Sequence, residues 1–375
     1  MVSEAQAEAP SLATTPKRRT TSQQVILLGS KVWSWLFLLA LIAYFSWQGT
    51  GFFSLRNSQN ILVAIVPIVL MGLGQTFVII AGGIDLSVGW LMGLSSVISA
   101  LVIREEYNAG VAPWLAIIQG LLAGVGVALI AGLINGVIVA KLKVPPFIVT
   151  LGVSFVARGI GFLLAKGNII AGQPQLARDL GNESLLYYVR GEGGGWYFLK
   201  KPDVTGAQLR MMDRVFTWPV VISILVVLIA MFILHKTQFG RHTYAIGGNR
   251  EAALRAGVPV DRHVILLYMM SAGTSGLAGV MHAWRFSGGA ADAGDALLMM
   301  SIAAVVIGGV SLFGGQGRVI GTVIGALILA VLQTGLIMIN VKTFYQYVIV
   351  GIIVILAVLM DQARDLIVGR AEAAA

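Results

Sequence analysis

Apolar runs recur along this chain, separated by short polar breaks. The first extends from Val32 to Trp47, behind a polar stretch that carries Lys17, Arg18 and Arg19. Nine more lie near residues 60–81, 86–103, 112–140, 147–165, 218–235, 264–284, 297–312, 319–339 and 345–360. Each approaches the roughly 20 residues a helix needs to cross the hydrocarbon of a bilayer. The first run exceeds the apolar part of a signal peptide and has no small-residue cleavage site behind it, so it predicts a retained span. The pattern therefore predicts an all-α, polytopic membrane protein of about ten transmembrane helices. Residues 1–31 form an N-terminal tail, 32–360 the membrane domain and 361–375 a C-terminal tail. Two long polar stretches, 166–217 and 236–263, interrupt the domain.

Composition agrees. The 375 residues are 57% hydrophobic and 11% charged, against about 25% charged in an average soluble domain. This excludes a soluble enzyme, a single-pass receptor and a disordered regulator. With no cysteine, disulfides, thiol nucleophiles and Cys-ligated metals are excluded too. Gly 46 against Pro 10 suits closely packed membrane helices, and Gly120, Gly124, Gly132 and Gly136 read as one packing face.

The net charge of +9 sits in loops and does not predict nucleic-acid binding. Lys and Arg concentrate in 1–31, 141–143, 236–263, Arg318 and the C-terminal tail. Under the positive-inside rule these segments are cytoplasmic, as are both termini. The long loop 166–217 is then periplasmic.

No phosphate-binding Gly-Lys-Ser/Thr loop, metal-spaced histidines or nucleophile elbow is present. No enzymatic activity, cofactor or metal is expected, and few acids lie near the spans. A proton-driven carrier would need more, so energy is expected to come from elsewhere. Polar side chains within or beside spans are candidates for a translocation pathway: Gln75, Asp85, Asn135 and Gln333. Asp85 follows Gly82-Gly83 where a helix restarts, which favours capping over solute contact. The others suit interhelical hydrogen bonds or a pathway. Arg158, within a span, suits snorkelling or pairing. In 236–263, a short helix over 249–256 is predicted, with Asn249 as N-cap, Glu251 in its first turn and Gly257 past its end.

Two glycine-rich motifs echo each other, Gly82-Gly83-Ile84-Asp85-Leu86-Ser87 and Gly308-Gly309-Val310-Ser311-Leu312-Phe313-Gly314-Gly315. Together with Pro146-Phe147-Ile148-Val149-Thr150-Leu151-Gly152 and Gly240-Arg241…Gly247-Gly248-Asn249…Glu251-Ala252…Gly257, they resemble the ribose-type permeases of bacterial ATP-binding-cassette importers. The resemblance implies that family's permease fold and a membrane-spanning permease of the bacterial inner membrane. It would move a pentose, hexose or related polyol, with energy from a separate cytoplasmic ATP-binding subunit. It further implies a periplasmic sugar-binding protein, a second copy of the chain and surrounding membrane lipid as partners. The coupling role would fall on Gly240, Arg241, Gly247, Asn249, Glu251, Ala252 and Gly257. Two departures stand out. Leu298 and Met300 replace an acidic pair common in the family, and loop 166–217, with Tyr187, Tyr188, Trp196 and Tyr197, is longer than usual. A stand-alone secondary carrier or channel is the alternative reading.

Overall fold

The computed structural model describes residues 21–191, 194–204, 206–356 and 359. Most of the expected N-terminal tail, the end of the last run and the C-terminal tail lie outside these residues. Among the described residues, ten apolar helices account for the ten expected runs. Seven are long enough to span: α2 (Leu55–Ile80), α3 (Val88–Asn108), α4 (Pro113–Lys141), α5 (Pro146–Ala165), α8 (Trp218–Lys236), α11 (Val260–Phe286) and α13 (Val319–Met338). Shorter apolar helices are α12 (Asp295–Ile307), α14 (Thr343–Leu356) and the stretch Trp33–Gln48 of α1 (Thr21–Gln48). Between α5 and α8 come α6 (Gln175–Asn182), β1 (Ser184–Val189), β2 (Gly195–Phe198), α7 (Ala207–Arg210) and β3 (Met212–Thr217). Between α8 and α11 come α9 (Gln238–Gly248) and α10 (Arg250–Arg255).

Two boundaries differ from the sequence reading. Helix α1 already begins at Thr21, ahead of the apolar run that opens at Val32. The run 297–312 is not one span. Helix α12 has 13 residues, about 20 Å at 1.5 Å per residue, and stops at Gly308. Residues 309–318 then fold as a turn-rich loop with positive φ at Gly309, Gly314, Gly315 and Gly317.

Helix α2 is central: 83% of its apolar window is buried, against 28% in α5 and in α8. The outer helices expose Phe155 and Leu163 on α5 and Leu225, Leu228 and Phe232 on α8, surfaces that hydrocarbon covers in a polytopic membrane protein. Backbones meet where α4 presents small residues. A Cβ on Gly132 would sit 2.6 Å from the Tyr268 carbonyl oxygen, and one on Gly136 would sit 2.6 Å from Ile265 Cα. Pro67 lies inside α2 and cannot donate to the carbonyl four residues back. Arg285 of α11 donates its Nη1 to that carbonyl, Val63 O, at 3.3 Å.

The two ends of α2 carry different structures. At its N-terminal end, segment 166–217 folds into an antiparallel sheet of order β2-β1-β3, with Leu186 opposite Phe198 and Val215. Arg56 of α2 donates its Nε to the buried Asp213 carboxylate at 3.3 Å, and Arg190, just past β1, donates its Nε at 2.9 Å. Beside them, Lys201 pairs with Glu183 at 2.8 Å, and the Tyr187 hydroxyl also donates to Glu183. Burial alone would lift the Glu183 carboxyl, but those hydrogen bonds outweigh it and hold the group below its ordinary 4.5. Burial and the neighbouring Glu183 push the Tyr187 hydroxyl up to about 12. A depressed carboxylate pKa stabilises the sheet at neutral pH, and that contribution disappears as pH falls through the folded-state value. Amide protection in β1, relative to the intrinsic exchange rate at each pH, should therefore fall below pH 4.5. A Glu183→Gln variant should lack the acid step; an identical step in the variant would remove Glu183 as its cause.

Candidate functional site

At the opposite end of α2, α9 and α10 form a helical hairpin that the sequence reading captured only in its second arm. Thr237 caps α9 by accepting from Gly240 N at 3.4 Å. Asn249 caps α10 by accepting from Ala252 N at 2.9 Å. Gly257, at φ +82°, turns the chain into α11.

The inner face of the hairpin is fixed to the bundle. Ile246 and Ala253 are buried, and the Thr243 hydroxyl lies 2.9 Å from His263 Nε2. Tyr244 donates its hydroxyl to Gly317 O at 2.7 Å. Gly247 packs against the C-terminal carbonyl of α2: any Cβ there would overlap Ile80 O and stand 2.6 Å from Gly315 N. Gly315 N itself donates to Ile80 O at 2.8 Å. The two echoing glycine motifs thus meet here, with Gly314 against Gly82.

The outer face is exposed. Arg241, Arg250, Glu251, Ala252 and Arg255 are exposed, and Leu254 is 63% exposed. Of the residues expected to couple, Gly240 and Gly247 pack inward. Asn249 and Gly257 begin and end α10. Arg241, Glu251 and Ala252 face outward. Leu254, Thr237 and Tyr244 were missed, though Thr237 ahead of Gly240 is a readable cap.

Comparison with known proteins decides the family. A family model described as "Branched-chain amino acid transport system / permease component" matches residues 57–358. The chain belongs to this permease family. Among curated relatives, it is 38% identical to the ribose import permease protein of Bacillus subtilis, covering 88% of this chain and 91% of that protein. It is 37% identical to the fructose import permease protein of Rhizobium meliloti, over 87% and 83%. Against the xylose transport system permease protein of Escherichia coli it is 34% identical, over 87% and 90%. No solved structure matches.

Next to the hairpin contact, the permease gathers three of its four pathway candidates. Asp85 is buried between α2 and α3. Its carboxylate accepts from Ser87 N at 2.9 Å, Ser87 Oγ at 2.6 Å and Ser271 Oγ at 2.7 Å. Gln75 Nε2 donates to the Asp85 carbonyl at 3.3 Å, and Asn135 Nδ2 donates to Ser87 Oγ at 2.9 Å. Leu86 N donates to Thr150 Oγ1 at 3.1 Å. Helices α2, α3, α4, α5 and α11 are thereby joined through one polar knot. Asp85 binds the amide of Ser87, the residue just before α3, while Ser87 makes no cap of its own. Gln333 stands apart, donating to Met300 Sδ at 3.3 Å between α13 and α12. Arg158 lies over the Trp90 ring, 4.6 Å from its centroid.

These placements rank substitutions. Asp85→Ala removes three hydrogen bonds to a buried carboxylate and should lower unfolding stability by about 2–3 kcal/mol. Gln333→Ala, which removes one weak bond to sulfur, should cost less than about 1 kcal/mol. Gly247→Val forces backbone apart and should cost about 1–3 kcal/mol. Denaturant titration of the reconstituted protein measures all three, and equal losses for Asp85 and Gln333 would contradict the network.

Proposed function

We propose that this chain is the membrane subunit of an ATP-driven importer that carries a monosaccharide or related polyol across the bacterial inner membrane. The carrying observation is identity of 34–38% to ribose, fructose and xylose permeases over 87–88% of the chain. The family description speaks of branched-chain amino acids, whereas these relatives are named for sugars, and similarity along nearly the whole length favours the sugar class.

In this reading two copies of the chain enclose the pathway, with both termini cytoplasmic. A cytoplasmic ATP-binding subunit seats on the outer face of α9–α10, where Leu254 projects among Arg250, Glu251 and Arg255. A capped two-helix hairpin suits this role because it moves as a unit, and its inner face already bears on the end of α2. A periplasmic sugar-binding protein delivers the solute at the sheet end and supplies most of the affinity, since a pathway must bind weakly enough to release. Gln75, Asp85 and Asn135 hold helices around the pathway, and Gln333 is the remaining candidate for solute contact.

Uptake of labelled pentoses, hexoses, polyols and leucine by cells lacking and regaining the gene tests the substrate class. Restoration of one sugar or polyol is expected. Restoration of leucine alone would move the protein to amino-acid transport. The coupling surface is tested separately with Glu251→Lys and Leu254→Asp. These changes should reduce uptake at least about tenfold, roughly 1.4 kcal/mol of lost coupling, with normal membrane insertion. Full uptake in both variants would exclude this face as the docking site.

A further inference from the structure

Two adjoining cavities lie at the sheet end of α2, far from the hairpin. The first, about 270 Å³, is lined by Arg56, Arg214, Arg285, Asn60, Asn182 and Asp213 among others. The second is a mostly apolar slot of about 40 Å³ lined by Val63, Pro67, Met92, Met281, Phe286 and the half-buried His282, with Val63 and Arg285 shared between the two. We propose that together they bind one anionic phospholipid, with the phosphate among the arginines and the start of an acyl chain in the slot.

The charge balance carries the first half. Asp213 is the single carboxylate lining the first cavity, and Arg56 and Arg190 already hold it. Glu183, the acid near Arg214, is paired with Lys201. Arg214 gives Nη1 to Asn182 O at 2.9 Å, and Arg285 gives Nη1 to Val63 O at 3.3 Å. A guanidinium has five N–H donors, so both retain donors for an oxyanion while their positions are fixed. A further cavity of about 240 Å³, lined by Arg56, Arg190 and Arg210, continues the basic surface. Arginine forks match phosphate oxygens in pairs.

Depth and continuity carry the second half. Arg56 and Asn60 sit in the first two turns of α2, and Arg285 in the last turn of α11. These helix ends mark the boundary between hydrocarbon and water, the level of lipid phosphates. The slot admits only the first methylenes of a chain, and it opens beside Phe286, which is 62% exposed and leaves room for the rest. A free phosphate or an acidic protein segment would use the basic cavities and leave the slot without a role.

Native mass spectrometry of the purified full-length permease, exchanged into neutral detergent and supplied with phosphatidylglycerol or phosphatidylcholine, tests the assignment. At least tenfold preferential retention of phosphatidylglycerol is expected, declining as salt rises. The double variant Arg56→Gln/Arg214→Gln should lose about tenfold of that retention. Val63→Phe, which fills the slot and leaves every arginine in place, should lose at least threefold and decides the matter if the arginine variant does not fold. Equal retention of the two lipids would overturn the proposal. So would unchanged retention in Val63→Phe, or thermal protection by inorganic phosphate equal to that by phosphatidylglycerol.

Discussion

A helix that ends within a packed membrane bundle leaves carbonyls that water cannot reach, and each needs a protein donor. Helix α2 ends at Ile80, whose carbonyl receives the amide of Gly315 at 2.8 Å. Much of the hairpin end follows from that one bond. It draws loop 309–318 under α2, which sets Gly314 beside Gly82. It also leaves only enough space for a residue without a side chain, and Gly247 of α9 occupies it. The hairpin is therefore located by backbone contact, a stiffer join than side-chain packing because backbone cannot change rotamer.

Directly after the break, the chain must restart as α3, and here a carboxylate organises the polar groups. Asp85 faces no cation among the described residues and is held by one amide and two hydroxyls. Such an arrangement tolerates burial only while every donor stays in place. Ser271 lies on α11 and Ser87 is tied to Asn135 on α4, so separation of α11 would remove a donor from Asp85, and separation of α4 would remove the donor to Ser87. The knot thereby penalises independent movement of the helices next to the hairpin.

Legibility in the sequence followed the physics. Spans were readable because hydrocarbon demands long apolar runs. The end of α12 was obscured because Val310-Ser311-Leu312-Phe313 remains apolar after the helix has stopped, and the informative signal was Gly308-Gly309. The start of α1 was missed because Val25 to Leu28 were counted with the polar tail. The continuous apolar run Leu185–Val189, followed by a glycine-rich stretch and then Trp196-Tyr197-Phe198, was a hairpin signal within that loop. Polar residues were found one by one, but nothing in their spacing told Asn135, which reaches Ser87, from Gln333, which meets a methionine. That distinction depends on helix rotation, which glycine contacts between backbones fix in three dimensions.

Both ends of the bundle are tied to one rod. Helix α2 has 26 residues, about 39 Å at 1.5 Å per residue, with the sheet held at Arg56 and the hairpin at Ile80. Its hydrogen-bond ladder has a gap at Pro67, the place where a proline helix bends most readily. Arg285 closes that gap through the Val63 carbonyl and lines both cavities at the sheet end. A bend in α2 at Pro67 would alter the one carbonyl that positions this guanidinium. Curvature of α2 and the shape of the basic cavity are thus linked through Arg285, and load applied to the hairpin reaches that cavity along α2 from Ile80 and along α11 from His263.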